Sequence, residues 1–388
     1  MKQPIMALNE FLQTYPIKTQ ERISLYSKVM ELRSKYGYGS KKISRLLNVS
    51  RHKVEGWLYQ KNMPRPIKAL DLLKKLGFEF PLNISRNQKF SIFLKIFAFI
   101  FGDGGISRDF RIYLTGKKED LEELKEEIEN AFPLKCKIFE IKPMNTKIGS
   151  RLIKGRSFSL DIQGQGSHIL GRLLYAAKAP IGDKVITPFL VPHWIMISPT
   201  WVKRLFLEVL LGNELQKPSL GYYGCHFGAV QFRMVKIKKY VKHHKKFLNQ
   251  IRKLLKQFNI QTSSVKQDKD RRDRKDGEVS IPMYFRIQKN KLNLLRFYKQ
   301  FKLLYAQEKQ RVFDESAKAI KNSLQNEIEK INFFHRTQEL AELGLGCRRI
   351  ARILGVPEKR SMIDSWLRYS QKPIYINQKE EIERLLNE

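Results

Sequence analysis

Two apolar segments of the same design most constrain this chain: IFAFIFGDG, Ile96 to Gly104, and LEVLLGNEL, Leu207 to Leu215. Each ends on an acid, Asp103 in the first and Glu214 in the second. After Asp103 the order is strand-like (FRIYLTG), a charged helix (KEDLEELKEEIENAF), strands (KCKIFEIKP and RSFSLDIQG), then a helix (SHILGRLLYAAKA). After Glu214 it returns as strands (CHFGAVQFRMVKIK), a very basic helix (KYVKHHKKFLNQIRKLLKQF), strands (TSSVKQ and IPMYFRIQKN) and a helix (KLNLLRFYKQFKLL). Apolar spacing of three or four marks the helices, and alternation marks the strands. LDIQ at Gln163 and FRIQ at Gln288 are matching points. The pattern predicts an α+β fold of two αββαββα halves, over residues 87–196 and 197–312. Read alone, the first segment is a core helix with a turn aspartate; its partner adds a second carboxylate in the same place.

A second, shorter repeat lies at the two ends. YGYGSKKISRLLNVSRHKVEGWLYQKNMP near the start matches LGLGCRRIARILGVPEKRSMIDSWLRYSQKP near the end, with Ile43 opposite Ile350, Val49 opposite Val356 and Trp57 opposite Trp366. Each copy reads as a short basic helix, a tight turn at Asn48 or Gly355, and a second helix with apolar residues three or four apart. The pattern resembles the DNA-binding helix-turn-helix family, whose second helix enters the major groove. That resemblance puts Arg51, His52 and Lys53, and in the second copy Lys359 and Arg360, toward DNA. The two tryptophans are read as core residues. All-α units are thus expected at 1–86 and, with a linker helix, at 313–388.

The chain carries 74 Lys and Arg against 38 Asp and Glu, a net charge of +36. Solubility alone needs far less, so a polyanionic partner is expected, and nucleic acid fits best because neutralised phosphates release counterions. A membrane is not expected as partner: Lys95 interrupts the longest apolar run, which falls short of the roughly 20 residues of a span. Cys136, Cys225 and Cys347 lack metal-site spacing and are expected to pack in a reducing interior. With no signal peptide in view, a cytoplasmic, nucleoid-associated location is expected.

From about Phe90 to Gln310 the sequence resembles the LAGLIDADG homing endonucleases, in the single-chain form with two motif copies. The nine-residue motifs, the connection PIGDK…VPHWI and the AQEKQ at Ala306 to Gln310 are similar to archaeal members. The resemblance implies motif helices packed side by side at a pseudo-twofold axis, with Ala98, Gly102 and Gly212 as small residues in the seam. It implies Asp103 and Glu214 as parallel ligands for Mg²⁺ or Mn²⁺, with Gly102 and Asn213 beside them, one acid for each DNA strand. Hard oxygen ligands suit such ions. Lys217 stands where some members carry a basic residue that positions water or stabilises transition-state charge; Ile106 holds the matching place in the first half. Gln163, Gln231 and Gln288 either order water near the site or face DNA.

In that family the strands of each half form a saddle on the major groove. The DNA-facing candidates here are Arg111, Lys137, Lys142, Arg151, Lys154, Arg156, Arg233, Lys236, Lys238 and Arg286. Lys266 to Gly277 is expected as a hairpin tip. Val209 and Leu215 replace small motif residues, which predicts looser packing of the second helix. The termini lack the residues that inteins need, so protein splicing is not expected. The expected activity is metal-dependent hydrolysis of both strands of a long double-stranded DNA target by a monomer with internal pseudo-twofold symmetry. Two alternatives stay open: a non-cleaving DNA-binding regulator of the same build, and an RNA-binding maturase or RNA-processing factor.

Overall fold

The computed structural model describes residues 4–60, 62–148, 151–217, 230–269, 271–274 and 276–387, and for 142–148, 151–157 and 272 the backbone alone. The fold is mixed α+β. Five helices precede the first half: α1 (Leu8–Leu12), α2 (Ile17–Tyr36), α3 (Ser40–Leu47), α4 (Arg51–Leu58) and α5 (Arg65–Lys75). The half itself runs α6 (Gln88–Phe101), β1 (Gly104–Ile106), β2 (Ile112–Gly116), α7 (Lys118–Ala131), β3 (Cys136–Ile148), β4 (Arg151–Ile162) and α8 (Gly164–Ala176). Its antiparallel sheet has the order β1-β2-β4-β3. This is the αββαββα order expected from the sequence.

After the short α9 (His193–Ile197), the second half runs α10 (Thr200–Glu214), β5 (Gln231–Ile237), α11 (Val241–Lys256), β6 (Lys266–Gln267), β7 (Arg272–Asp273), β8 (Val279–Arg286) and α12 (Lys291–Gln300). The sheet is ordered β5-β8-β6, with β7 also on β8. Leu215 bridges to Phe232, at the edge where β1 stands in the first half. Much of the strand expected before β5, with Cys225, lies outside the described residues. The chain ends in α13 (Gln307–Glu342), α14 (Cys347–Ile353), α15 (Arg360–Arg368) and α16 (Lys379–Asn387).

The large core centres on α6 and α10. Asn87 starts α6 by accepting a hydrogen bond from Phe90 N–H at 2.7 Å, satisfying one of the free donors of the first turn. Phe93, Phe97, Phe99 and Phe101 are fully buried, each stabilising the fold by about 1.5–3 kcal/mol. Phe101 meets Phe206 of α10 edge to face, with ring centres 5.6 Å apart. Val209 and Leu215 are buried as well. The core also takes in Phe11 of α1, Leu73 of α5 and Ile382 of α16.

Two small cores stand apart from it. Val29, Ile43, Val54 and Trp57 form one, and Ile350, Ala351 and Ile363 the other. Asn48 and Gly355 both take the left-handed conformation that a tight turn between helices requires. Trp57 and Trp366 are buried, Trp57 against Tyr26 and Trp366 between Phe333 and Phe334. No described helix is long and apolar enough to cross a membrane.

Candidate active site at the seam of the two motif helices

The C-terminal ends of α6 and α10 meet, and the two acids stand there. Gly102 permits the approach: a β-carbon added to it would lie 2.6 Å from Cβ of Asn213. Gly212 has a different role from the one expected. Its missing side chain makes room for the backbone carbonyl of Leu304, 2.2 Å from where a β-carbon would be, so it serves the segment after α12 and not the seam.

A carboxylate at the C-terminal end of a helix faces the negative pole of the helix dipole. Two lysines offset this. Lys184 Nζ donates to the Gly102 carbonyl, and Lys309 Nζ donates to the carbonyls of Gly212 and Asn213, each at 2.7 Å. Each lysine thus satisfies terminal carbonyls that have no partner within the helix. One follows α8 and the other follows α12, so the pair repeats the internal symmetry. Gly102 and Asn213, expected among the metal neighbours, present carbonyls that these lysines already engage.

Asp103 keeps an exposed edge and Glu214 is half-buried, yet protein crowds both carboxyls. Burial pushes Glu214 up to about 8, with the nearby Asp103 adding to the rise and Lys184 and Lys309 opposing it. Burial likewise raises Asp103 against the same two lysines. Both lysines are pushed down by burial and held back by the acids. Burial also brings Lys236 down to about 7, with the Lys184 charge adding to it.

A cavity of about 270 Å³ opens beside Asp103, and Lys217 lines it. Lys217 Nζ is engaged by Glu308 Oε1 at 2.8 Å. The three glutamines do not line this cavity. Gln163 occupies the residue before α8 with no capping bond from its side chain, Gln288 lies after β8, and Gln231 accepts from Arg286 Nε at 3.3 Å.

Lys236 requires a correction. It was expected on the DNA-facing side with Arg233, but residues three apart on a strand project to opposite faces. Lys236 is buried beside Phe232 and Met234, and its Nζ donates to the carbonyls of Lys184 and Thr187. Arg233 and Arg286 share the other face of this sheet, Arg233 paired with Asp268 at 2.8 Å and Arg286 exposed. Lys137 and Lys238 are exposed, and so is Arg111, which pairs with Asp109. The side chains of Lys142, Arg151, Lys154 and Arg156 lie outside what is described. The segment from Lys266 carries β6 and β7, and its Arg274 pairs with Asp183 of the connection at 3.0 Å.

On the arms, Arg51 and His52 are exposed at the start of α4, Arg51 paired with Glu55 at 2.7 Å. Lys53 lies over the Trp57 ring and Lys359 over the Phe333 ring, while Arg360 is exposed. Cys136 is buried, its thiol pushed up to about 12 by burial, and Cys347 is half-buried.

No family model matches the chain. It is 29% identical over 184 residues to the DNA-directed RNA polymerase subunit Rpo1N of Methanocaldococcus jannaschii, covering 45% of this chain and 13% of that protein. It is 26% identical over 292 residues to the replication factor C small subunit of the same organism, covering 66% of this chain and 15% of that protein. A third similarity, 28% over 181 residues, is to the tRNA-splicing ligase RtcB of Methanopyrus kandleri, covering 46% of this chain and 18% of the ligase. The chain thus spans less than a fifth of the length of each of these curated relatives.

Lys184 and Lys309 are the site residues that sequence reasoning missed. Both lie in the segments that carry the family resemblance, PIGDK and AQEKQ. The signal was a lysine placed shortly after the last helix of each half, a match between the ends of the two halves that their beginnings do not reveal.

Proposed function

We propose that the chain is a metal-dependent endonuclease of the LAGLIDADG homing type that hydrolyses both strands of double-stranded DNA. One observation carries this reading: the two packed helices end on a carboxylate each, and each end is held by its own lysine. Short matches to three relatives of unlike printed function support a self-contained unit that does not depend on any one of their activities.

Asp103 and Glu214 fit Mg²⁺ or Mn²⁺ by their chemistry. The Asp103 charge adds to the cost of ionising Glu214, a like-charge pressure that a divalent cation relieves. Among the described residues no third acid, histidine or cysteine joins them, which suits an ion that retains several waters. When bound, the ion polarises the scissile phosphate and lowers the pKa of attacking water. The chain's own residues do the rest. Asp103 and Glu214 would hold the ion, each acid serving one strand. Lys184 and Lys309 place positive charge where the phosphorane and leaving oxygen develop negative charge. The buried Asn213 amide, which has no protein partner on its Nδ2, supplies a donor at the seam. Arg233, Arg286, Lys137 and the arms contribute positive charge along the duplex, with phosphate contacts setting register.

The test is incubation of the full chain and Mg²⁺ with a randomised duplex library. Discrete double-strand cuts support the nuclease; metal-independent binding without cutting supports a regulator on the same scaffold.

A further inference from the structure

Glu308 stands between two lysines from opposite halves. Its Oε1 accepts from Lys217 Nζ at 2.8 Å, and its Oε2 accepts from Lys117 Nζ. Lys117 directly precedes α7 of the first half, and Lys217 lies just beyond α10 of the second. All three line the cavity beside Asp103.

A carboxylate taking one ammonium on each oxygen presents the charge and the paired acceptors of a phosphodiester's two non-bridging oxygens. The backbone around Glu308 is tied down on both sides. Gln307 N–H donates to Asp120 Oδ1 at 2.9 Å, and Lys309 holds the end of α10. Displacing the Glu308 carboxylate therefore needs only a side-chain rotation, and pairs this exposed hold weakly. We propose that Lys117 and Lys217 form a phosphate clamp beside Asp103 and that Glu308 is its internal competitor, displaced when a phosphodiester enters. The two cations favour the charged form of the Glu308 carboxyl, so the competitor stays ionised across the working pH range. The clamp joins the two halves through one anion, and Glu308 makes it selective against loosely held polyanions.

The inference rests on the reading that this cleft receives nucleic acid. Its test is equilibrium binding by the full chain, without metal, of a short duplex of arbitrary sequence and of inorganic tripolyphosphate. Glu308→Gln should tighten both several-fold at unchanged melting temperature, and Glu308→Ala should act in the same direction. In a Lys117→Ala/Lys217→Ala background the gain should vanish. A gain that persists there would be a bulk charge effect and would overturn the clamp, as would unchanged affinity for both probes. Absence of duplex binding by the parent and the variants alike, with the tripolyphosphate response intact, would sink the nucleic-acid reading and leave the clamp standing.

Discussion

Gly102 and Asn213 touch across the seam so closely that no β-carbon fits at Gly102. Gly102→Ala must therefore part the two helix ends that carry Asp103 and Glu214. Overpacking of this kind costs about 1–3 kcal/mol. Urea unfolding should show a loss in that range; an unchanged midpoint would mean that the two helix ends are not in tight contact.

Lys309 is, after Lys184, one of two counter-charges of Glu214, and it is the partner of two helix-end carbonyls. In Lys309→Met the carbonyls lose that partner, at about 1–3 kcal/mol, and the Glu214 carboxyl should titrate above about 8. Carboxyl ¹³C NMR across pH reads this directly. A Glu214 titration that stays in place or moves down would remove Lys309 from the site's electrostatics.

Lys236 makes stability depend on pH with a definite sign. Its amine titrates near 7 in the folded chain and near 10.4 unfolded. Between those values the unfolded chain binds more protons, so stability climbs with pH by up to about 1.4 kcal/mol per unit. Lys236→Met carries no such proton. The stability of the parent minus that of the variant should rise from about pH 7 to about pH 10 in isothermal unfolding; a flat difference would contradict the burial of the charged amine.

The arms call for a test finer than deletion. Removing residues 1–84 would take Phe11, Leu73, Leu76 and Leu82 out of the main core, so lost binding would report unfolding. Placing an acid at an exposed position of each arm avoids this. His52→Glu and Arg360→Glu should each weaken duplex binding and flatten its salt dependence, read by fluorescence anisotropy against log salt. Unchanged slopes would make the arms structural units only.

Much of this was written locally. Ile96 to Phe101 is apolar on every face and ends at Gly102-Asp103, so both the helix and its terminus follow from the residues themselves. The same holds for Asn48 and Gly355, whose turn conformations match in the two arms. The rest depends on partners far away in the chain. Lys309 reaches carbonyls almost a hundred residues earlier, and no periodicity encodes that. The spacing of Lys236 from Arg233 did encode its inward face, but net charge pointed the other way. Gly212 looked like seam because its neighbours are seam; the Leu304 carbonyl that fills its space comes from a separate segment.

The central claim is that the two acids act with metal on DNA. The most direct measurement is cleavage of a randomised duplex library by the full chain with Mg²⁺, beside Asp103→Asn and Glu214→Gln. The expected result is discrete double-strand cuts by the parent, and variants that still bind duplex but no longer make those cuts. Cutting that survives both substitutions, or duplex binding with no metal-dependent cutting by the parent, would contradict it.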